Sequence, residues 1–191
     1  MKLSGKFFRR DTSKVARGLL GKILTRFTSS EIVKGRIVET EAYYGKDDPA
    51  SRASEKRTKI NEIMWKKAGL ALVYMVHGHW LFNVTTEDKG TPGAVLIRAV
   101  EPLEGLDVMK KRRGKSKLRE LTSGPGKLTQ AFDICKEQHG VDLTTSKELY
   151  ISKPCGEMVE NYDIGTSHRI GVTEDLEREL RFYIEDNECV S

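Results

Sequence analysis

Hydrophobic and polar positions recur along the chain with two periods, and the switches between them predict the elements. Asp11, Thr12 and Ser13 supply cap residues ahead of Val15, Leu19, Leu20 and Ile23, which are spaced as one face of a helix. Gly35 to Tyr44 alternates as a strand, and Lys59 to Lys67 predicts a short helix closed by Gly69. Leu70 to Val76 predicts a buried strand, with Leu81 to Thr86 as its hairpin partner after His77-Gly78-His79. Gly93 to Val100 is a further strand. Pro102 suits the first turn of a helix with Leu103, Leu106 and Met109 on one face. A second such helix starts near Pro125 and carries Leu128, Ala131, Phe132 and Cys135. Two late strands, 148–152 and 179–185, bracket a stretch around His168 to Val172. Strands adjacent in sequence, with helices inserted irregularly, predict an α+β fold. The expectation is a single compact domain over residues 1–191, a mixed, mostly antiparallel curved β-sheet with surrounding helices.

Composition narrows the class. A chain of 191 residues is the size of one domain and can bury close to ~70% of its unfolded surface without a metal or disulfide staple. With 38% apolar and 32% charged residues it is too apolar for a disordered tail and too polar for a membrane protein. Apolar runs such as Leu70 to Val76 fall far short of the roughly 18 residues a span requires. Met1 to Arg10 has no apolar secretory core, so the expected location is the cytoplasm, at the nucleoid, or the nucleus of a eukaryote, with no membrane partner. Cys135, Cys155 and Cys189 are widely spaced without a C-x-x-C pair, which points to reduced thiols rather than disulfides or zinc.

Lys and Arg exceed Asp and Glu by 33 to 28, and this modest excess matters because it is clustered. The run from Lys110 to Arg119, which includes Lys111, Arg112 and Arg113, holds seven cations in ten residues and no acid. A second basic stretch comprises Arg52, Lys56, Arg57, Lys59, Lys66 and Lys67. A solvated helix face explains one such run. Two of them flanking a candidate site point to a polyanion, whose neutralised phosphates release counterions.

The strand from Gly35 to Tyr44 carries the first candidate chemistry. Alternation puts Ile37, Glu39, Glu41 and Tyr43 on one face and Val38, Thr40, Ala42 and Tyr44 on the other. Two carboxylates side by side beside an aromatic repel one another, and one pKa rises, which suits a general base or acid. The plain alternative is an edge strand with solvated glutamates. Tyr74, His77, His79 and Trp80 cluster around a Gly turn, where they suit base stacking or wedging better than metal binding; Trp80 and Phe82 also read as core. Arg98 interrupts the apolar run Ala94 to Val100 and needs an anionic partner, for which the Glu39/Glu41 pair is the nearest candidate by type. Leu121-Thr-Ser-Gly-Pro-Gly-Lys127 presents backbone N–H groups ahead of a helix, a candidate phosphate-binding element without Walker spacing.

Taken together, E-T-E-A-Y (Glu39 to Tyr43), L-I-R-A-V-E-P (Leu96 to Pro102) and S-G-P-G-K-L (Ser123 to Leu128) closely resemble the alkyladenine (3-methyladenine) DNA glycosylase family. F-F-R-R-D, A-R-G-L-L-G-K, K-I-N-E-I-M, R-I-G-V and L-R-F-Y resemble it in the same order, over about residues 5 to 186. The resemblance implies a compact α+β monomer that bends double-stranded DNA and flips a damaged purine out of the stack. On that pattern Glu41 is the general base that activates water against C1′, and Arg98 and a backbone amide of the turn containing Ile170 hold that water. Tyr43 and Tyr74 sandwich the base, while Lys110, Lys111, Arg112, Arg113 and Lys127 bind the backbone. Neither cofactor, metal nor lysine Schiff base is implied, hence no strand-cleaving lyase step.

Three positions depart from the family pattern. Arg52 stands where the family has a base-contacting His, and it can only donate hydrogen bonds. His77 replaces the usual Tyr wedge. The segment from Gly78 is one residue short, so either Asn83 or Val84 fills the position that excludes guanine's amino group. Two other classes compete: a non-catalytic nucleic-acid binding module, and a metal-dependent nuclease using Glu39 and Glu41.

Overall fold

The computed structural model describes residues 1–28, 30–154 and 161–191. In chain order its helices and strands are α1 (Gly5–Phe8), α2 (Thr12–Leu19), β1 (Ile23–Phe27), β2 (Ile32–Tyr43), β3 (Ala71–Val76), β4 (His79–Thr85) and β5 (Ala94–Glu104). There follow α3 (Leu106–Arg113), α4 (Leu118–Thr122), α5 (Pro125–Phe132), β6 (Leu149–Ser152), β7 (Ile164–Ser167) and β8 (Arg181–Ile184). The strands form one curled sheet in the order β3-β4-β5-β2-β1-β6, with β8 also on β2 and β7 on β8. Every ladder between described strands is antiparallel. This is the expected α+β architecture, although no parallel pair joins the described strands.

Several elements end where the periodicity does not show it. Asp11 caps α2 by accepting the Lys14 N–H at 3.0 Å, and the helix stops at Leu19 rather than continuing to Ile23. Gly21 takes φ +74° and its N–H donates to the Ile37 carbonyl at 2.8 Å, which turns the chain into β1 and puts Ile23 on a strand. Pro102 belongs to β5, opposite Gly35 beside a register shift, where a missing donor costs little. Gly105, at φ +81°, then opens α3, so Leu103 precedes the helix. The helix expected over 59–67 is a 3₁₀ turn at Glu62–Trp65, and Cys135 lies beyond α5. Cys155 lies outside the described residues.

The sheet has a core face and a cleft face. Ala71, Val73, Phe82, Val84, Val95, Ile97, Ala99 and Val38 pack with Phe8, Leu19, Leu128 and Phe132 into the main core. Truncating Phe132, which is fully buried, costs on the order of 3–5 kcal/mol by this logic. On the opposite face Leu72 and Ala94 join Ala53, Ile63 and Met64 in a smaller cluster beneath Tyr74. Strict alternation on β2 breaks at a bulge between Ile37 and Glu39: both Ile37 and Val38 enter the core, and Ile37 leaves the face assigned to it with Glu39. Among the described residues, no helix is long and apolar enough to cross a membrane.

Candidate active site

The bulge on β2 is matched by one on β5. Glu39 lies opposite Ala99 and Thr40 opposite Ile97, so Arg98 is the extra residue of its strand. A residue so placed can be re-aimed out of the pleat. Its Nε donates to Glu39 Oε1 at 2.9 Å and its Nη1 to Glu41 Oε2 at 3.3 Å. Both carboxylates are fully buried and Arg98 is 7% exposed. Charges in such a place persist only when each is paired and hydrogen-bonded, and here each is. Glu39 also accepts from Arg181 Nε at 2.7 Å and from the Ser191 amide at 2.7 Å. Its Oε1 is bonded to Arg98 and Arg181 and its Oε2 to the Ser191 amide, all donors of the fold itself, which makes Glu39 a supporting group.

Glu41 is held differently. Tyr43 donates its hydroxyl to Glu41 Oε2 at 2.8 Å, and the Ile170 amide donates to Oε1 at 2.7 Å. Burial pushes the Glu41 carboxyl above the usual range, aided by the Glu39 charge and opposed by Arg98, the Ile170 amide and the Tyr43 hydroxyl. The two buried glutamates therefore divide into an anchor held by the fold and a carboxyl with a raised pKa, partly restrained.

The loop that supplies the Ile170 amide is fixed by its neighbour. Arg169 is 5% exposed and donates to Asp48 at 2.7 and 2.8 Å, to Asp175 at 2.6 and 2.9 Å, and to the Ala42 carbonyl at 3.0 Å. Its guanidinium lies 4.6 Å from the Tyr43 ring centroid, so one cation orders both the loop and a cleft wall. Asp48 in turn accepts the Tyr44 N–H at 2.8 Å, closing the clamp onto the end of β2. Gly171, at φ +76°, lets the chain turn away after Ile170.

In front of Glu41 opens a cleft of about 850 Å³, whose walls include Tyr43, Tyr74, Arg52, His77, Arg98 and Ile170. The Arg52 guanidinium lies 5.1 Å from the Tyr74 ring centroid. Burial raises the pKa of both Tyr43 and Tyr74, keeping each a neutral aromatic donor. Asn83 donates to the Leu72 carbonyl at 3.2 Å on the cleft side of β4, while Val84 packs in the main core. Val84 therefore lies on the core face, while Asn83, itself buried, shares its face of β4 with His79 and Leu81 of the cleft wall. His77 and Gly78, at φ +48° and +80°, form the two-residue tip of the β3–β4 hairpin. β4 starts at His79 rather than at Leu81, so the hairpin loop has two residues where the sequence reading leaves four. Phe82 is fully buried, and Trp80 is partly buried against the core.

The basic run divides. Lys110 and Lys111 lie on the last turn of α3, Lys111 exposed. Arg112 donates to Glu31 at 2.8 Å and to the Ala131 carbonyl at 3.0 Å, and Arg113 bonds Gln130 and the Glu120 carbonyl. Those two arginines tie α3 to α5 and the β1–β2 turn, a role the run itself did not disclose. Lys127 is exposed on α5, one residue past Gly126, which lines the cleft with Pro125. Arg169, Arg181, Asp48, Asp175 and Ser191 are not among the candidate residues read from sequence; Arg169 and Arg181 fall inside the motifs R-I-G-V and L-R-F-Y, while Asp175 and Ser191 carry no sequence signal. Among the described residues no group of three or more His, Cys, Asp or Glu is placed to hold a metal ion.

Comparison with known proteins covers nearly the whole chain. The family model described as "Methylpurine-DNA glycosylase (MPG)" matches residues 6–188. A Carboxydothermus hydrogenoformans protein named "Putative 3-methyladenine DNA glycosylase" is 45% identical over 192 residues, covering 100% of this chain and 99% of its own length. A Natranaerobius thermophilus protein of the same name is 42% identical over 198 residues, covering 100% and 99%. One from Prosthecochloris aestuarii is 44% identical over 187 residues, covering 97% and 88%. The chain belongs to the methylpurine-DNA glycosylase family, hydrolases of N-glycosyl bonds in base excision DNA repair.

Proposed function

We propose that this enzyme releases 3-methyladenine-type purines, alkylated or deaminated, from double-stranded DNA by base flipping and attack of a Glu41-activated water. The observation that carries the reading is a fully buried carboxylate with a raised pKa, set behind a cleft walled by two tyrosines and restrained by Arg98 and the Ile170 amide. The glycosidic bond is out of reach in a stacked duplex, so the nucleotide rotates into the cleft and His77 fills the gap. Tyr43 and Tyr74 stack on the base, worth about 1–3 kcal/mol per base, and favour electron-poor or cationic purines. Arg52 and Asn83 set which base edges are accepted.

The C1′–N bond breaks with oxocarbenium character at the sugar. Glu41 takes one proton from water as its oxygen bonds C1′, and the base leaves with the bond's electron pair. A pKa above the ordinary glutamate range makes Glu41 a stronger base. Arg98 and the Ile170 amide hold the nucleophile and keep the carboxylate oriented. No lysine takes part in a Schiff base, so the product is an abasic site in an uncut strand. Lys110, Lys111 and Lys127, with Arg112 and Arg113 behind them, follow the phosphate backbone. The enzyme works as a monomer in the cytoplasm, on the nucleoid.

The test is incubation with duplexes carrying 3-methyladenine, 7-methylguanine, ethenoadenine or hypoxanthine, scoring freed base and strand integrity. Glu41→Gln should lower release by about 10²–10⁴-fold while lesion-DNA affinity is kept or rises. Unaltered release by this variant, or a wild-type enzyme that frees no base from any duplex, overturns the proposal.

A further inference from the structure

A residue far along the chain, Ser191, completes the hydrogen bonding of the carboxylate centre. The Ser191 hydroxyl donates to Glu39 Oε1 at 2.9 Å and accepts from Arg98 Nη2 at 3.1 Å. Its amide supplies Glu39 Oε2 at 2.7 Å, and its carbonyl accepts from Arg181 Nη2 at 3.3 Å. Ser191 is exposed at the surface, yet every one of these partners is buried. We infer that Ser191 is a positioning residue for base excision: through Glu39 it fixes the Arg98 guanidinium at the angle that reaches Glu41. This rests on the proposed role of Glu41.

The argument is one of competition. Glu39 and Glu41 share one guanidinium, and the bond to Glu39 is the shorter, 2.9 against 3.3 Å. Donors from Ser191 and Arg181 share Glu39 with Arg98, so it does not draw Arg98 fully to itself. Without the hydroxyl, Nη2 loses its acceptor and Glu39 Oε1 loses a donor. Each loss favours rotation of the fork towards Glu39 and away from Glu41. The groups bearing on Glu41 are Glu39 and Tyr43 from β2, Arg98 from β5, Tyr74 from β3, Arg181 opposite it on β8, and the Ile170 amide. Of these, only Arg98 changes its distance in this scheme. Weaker restraint by Arg98 lets the Glu41 pKa climb further, so the acidic limb of the rate moves to higher pH.

The experiment compares wild type, Ser191→Ala and Ser191→Thr in single-turnover base release against pH, with lesion-DNA affinity measured alongside. Ser191→Ala should slow release about tenfold near neutrality and displace the acidic limb upward, with affinity unchanged. Ser191→Thr keeps the hydroxyl and should restore both rate and limb. Because Ser191 is exposed, neither change threatens the core, and thermal melting checks this. An alanine variant with wild-type rate and pH profile overturns the inference. So does slowing without a shift of the limb, or slowing that threonine fails to rescue, since either marks a merely structural role. Wild-type release with an unaffected alanine variant leaves the Glu41 reading standing; absent wild-type release removes both.

Discussion

Cations gather in two places in this molecule, and they are held there by opposite physics. In the carboxylate centre Arg98, Arg169 and Arg181 are 5–9% exposed, and each donates to a particular carboxylate at 2.6–3.3 Å. On α3, Lys111 is exposed, and Lys110 reaches only Asp107, itself 99% exposed, at 3.5 Å. A buried cation exists because its partner does, and geometry is its property. The lysines at the end of α3 offset the negative end of the helix dipole and otherwise contribute charge density, which any cation can supply. Arg112, 19% exposed and bonded to Glu31, is a member of the surface run that obeys the buried rule.

The sharpest way to separate the two regimes is to empty a buried partnership. Arg169→Ala strands Asp48 and Asp175 and frees the loop bearing the Ile170 amide. Breaking a buried pair from one side costs about 3–5 kcal/mol, so thermal melting should fall markedly and base release with it. Arg169→Lys should recover little, since one ammonium cannot reproduce the paired bonds to two carboxylates. A lysine variant with wild-type melting would show that charge alone suffices there, and the contrast with α3 would collapse.

A smaller effect is expected at Arg98, where charge can be kept and shape removed. An Arg98→Lys ammonium cannot span Glu39 and Glu41 together. Release should fall about 10–100-fold, a loss of roughly 1.4–2.7 kcal/mol in transition-state stabilisation. The sign of the pH change follows from the causes of the Glu41 shift: burial raises its pKa and the Arg98 charge lowers it. Less restraint means a higher pKa, fewer ionised Glu41 at a given pH, and an acidic limb displaced upward. A limb that stays in place would separate the charge of Arg98 from its shape.

How much of this division is visible before folding depends on sequence distance. A lone cation within the apolar run Ala94 to Val100 must have a buried anion, and the Glu39/Glu41 pair on a neighbouring strand is where the structure puts it. Local physics sufficed there, because one strand cannot solvate a charge. Arg169 meets Asp48 and Arg181 meets Glu39 across 121 and 142 positions, beyond the reach of any local pattern. Alternation likewise misplaced Ile37, since a bulge is a property of two strands and is invisible in either one. Ile23 and Pro102 were misassigned for a related reason: a glycine with positive φ and a strand-end register shift outweigh periodicity and Pro statistics.

On the exposed side the expected effect is on affinity and not on chemistry. Replacing Lys110, Lys111 and Lys127 together with glutamine should weaken lesion and plain duplexes alike. It should also reduce the salt dependence of log K by about 0.9 for each lost phosphate contact. Release under saturating single-turnover conditions should be unchanged. Selective loss for the lesion duplex would mean that these lysines read structure near the base, contrary to their assignment as density.

The smallest effect sharpens the comparison from its weak end. Lys67 and Asp142 form an ion pair at 2.5 Å whose lysine is 64% exposed, and Asp142 also accepts from the Thr144 amide and hydroxyl. Slight burial works against the charged form, but Lys67 and Thr144 prevail and hold the Asp142 carboxyl down at about 2. Asparagine at 142 keeps an oxygen for Thr144 and removes only the charge. Water screens so open a pair, so Asp142→Asn should cost less than about 1 kcal/mol. The folded pKa lies below the unfolded one, so this stability is present in full above about pH 4 and lost as pH falls through 2. Denaturant midpoints of the two proteins should therefore differ slightly at neutral pH and converge in acid. A difference as large as that of Arg169→Ala would mean that exposure does not set the worth of an ion pair in this fold.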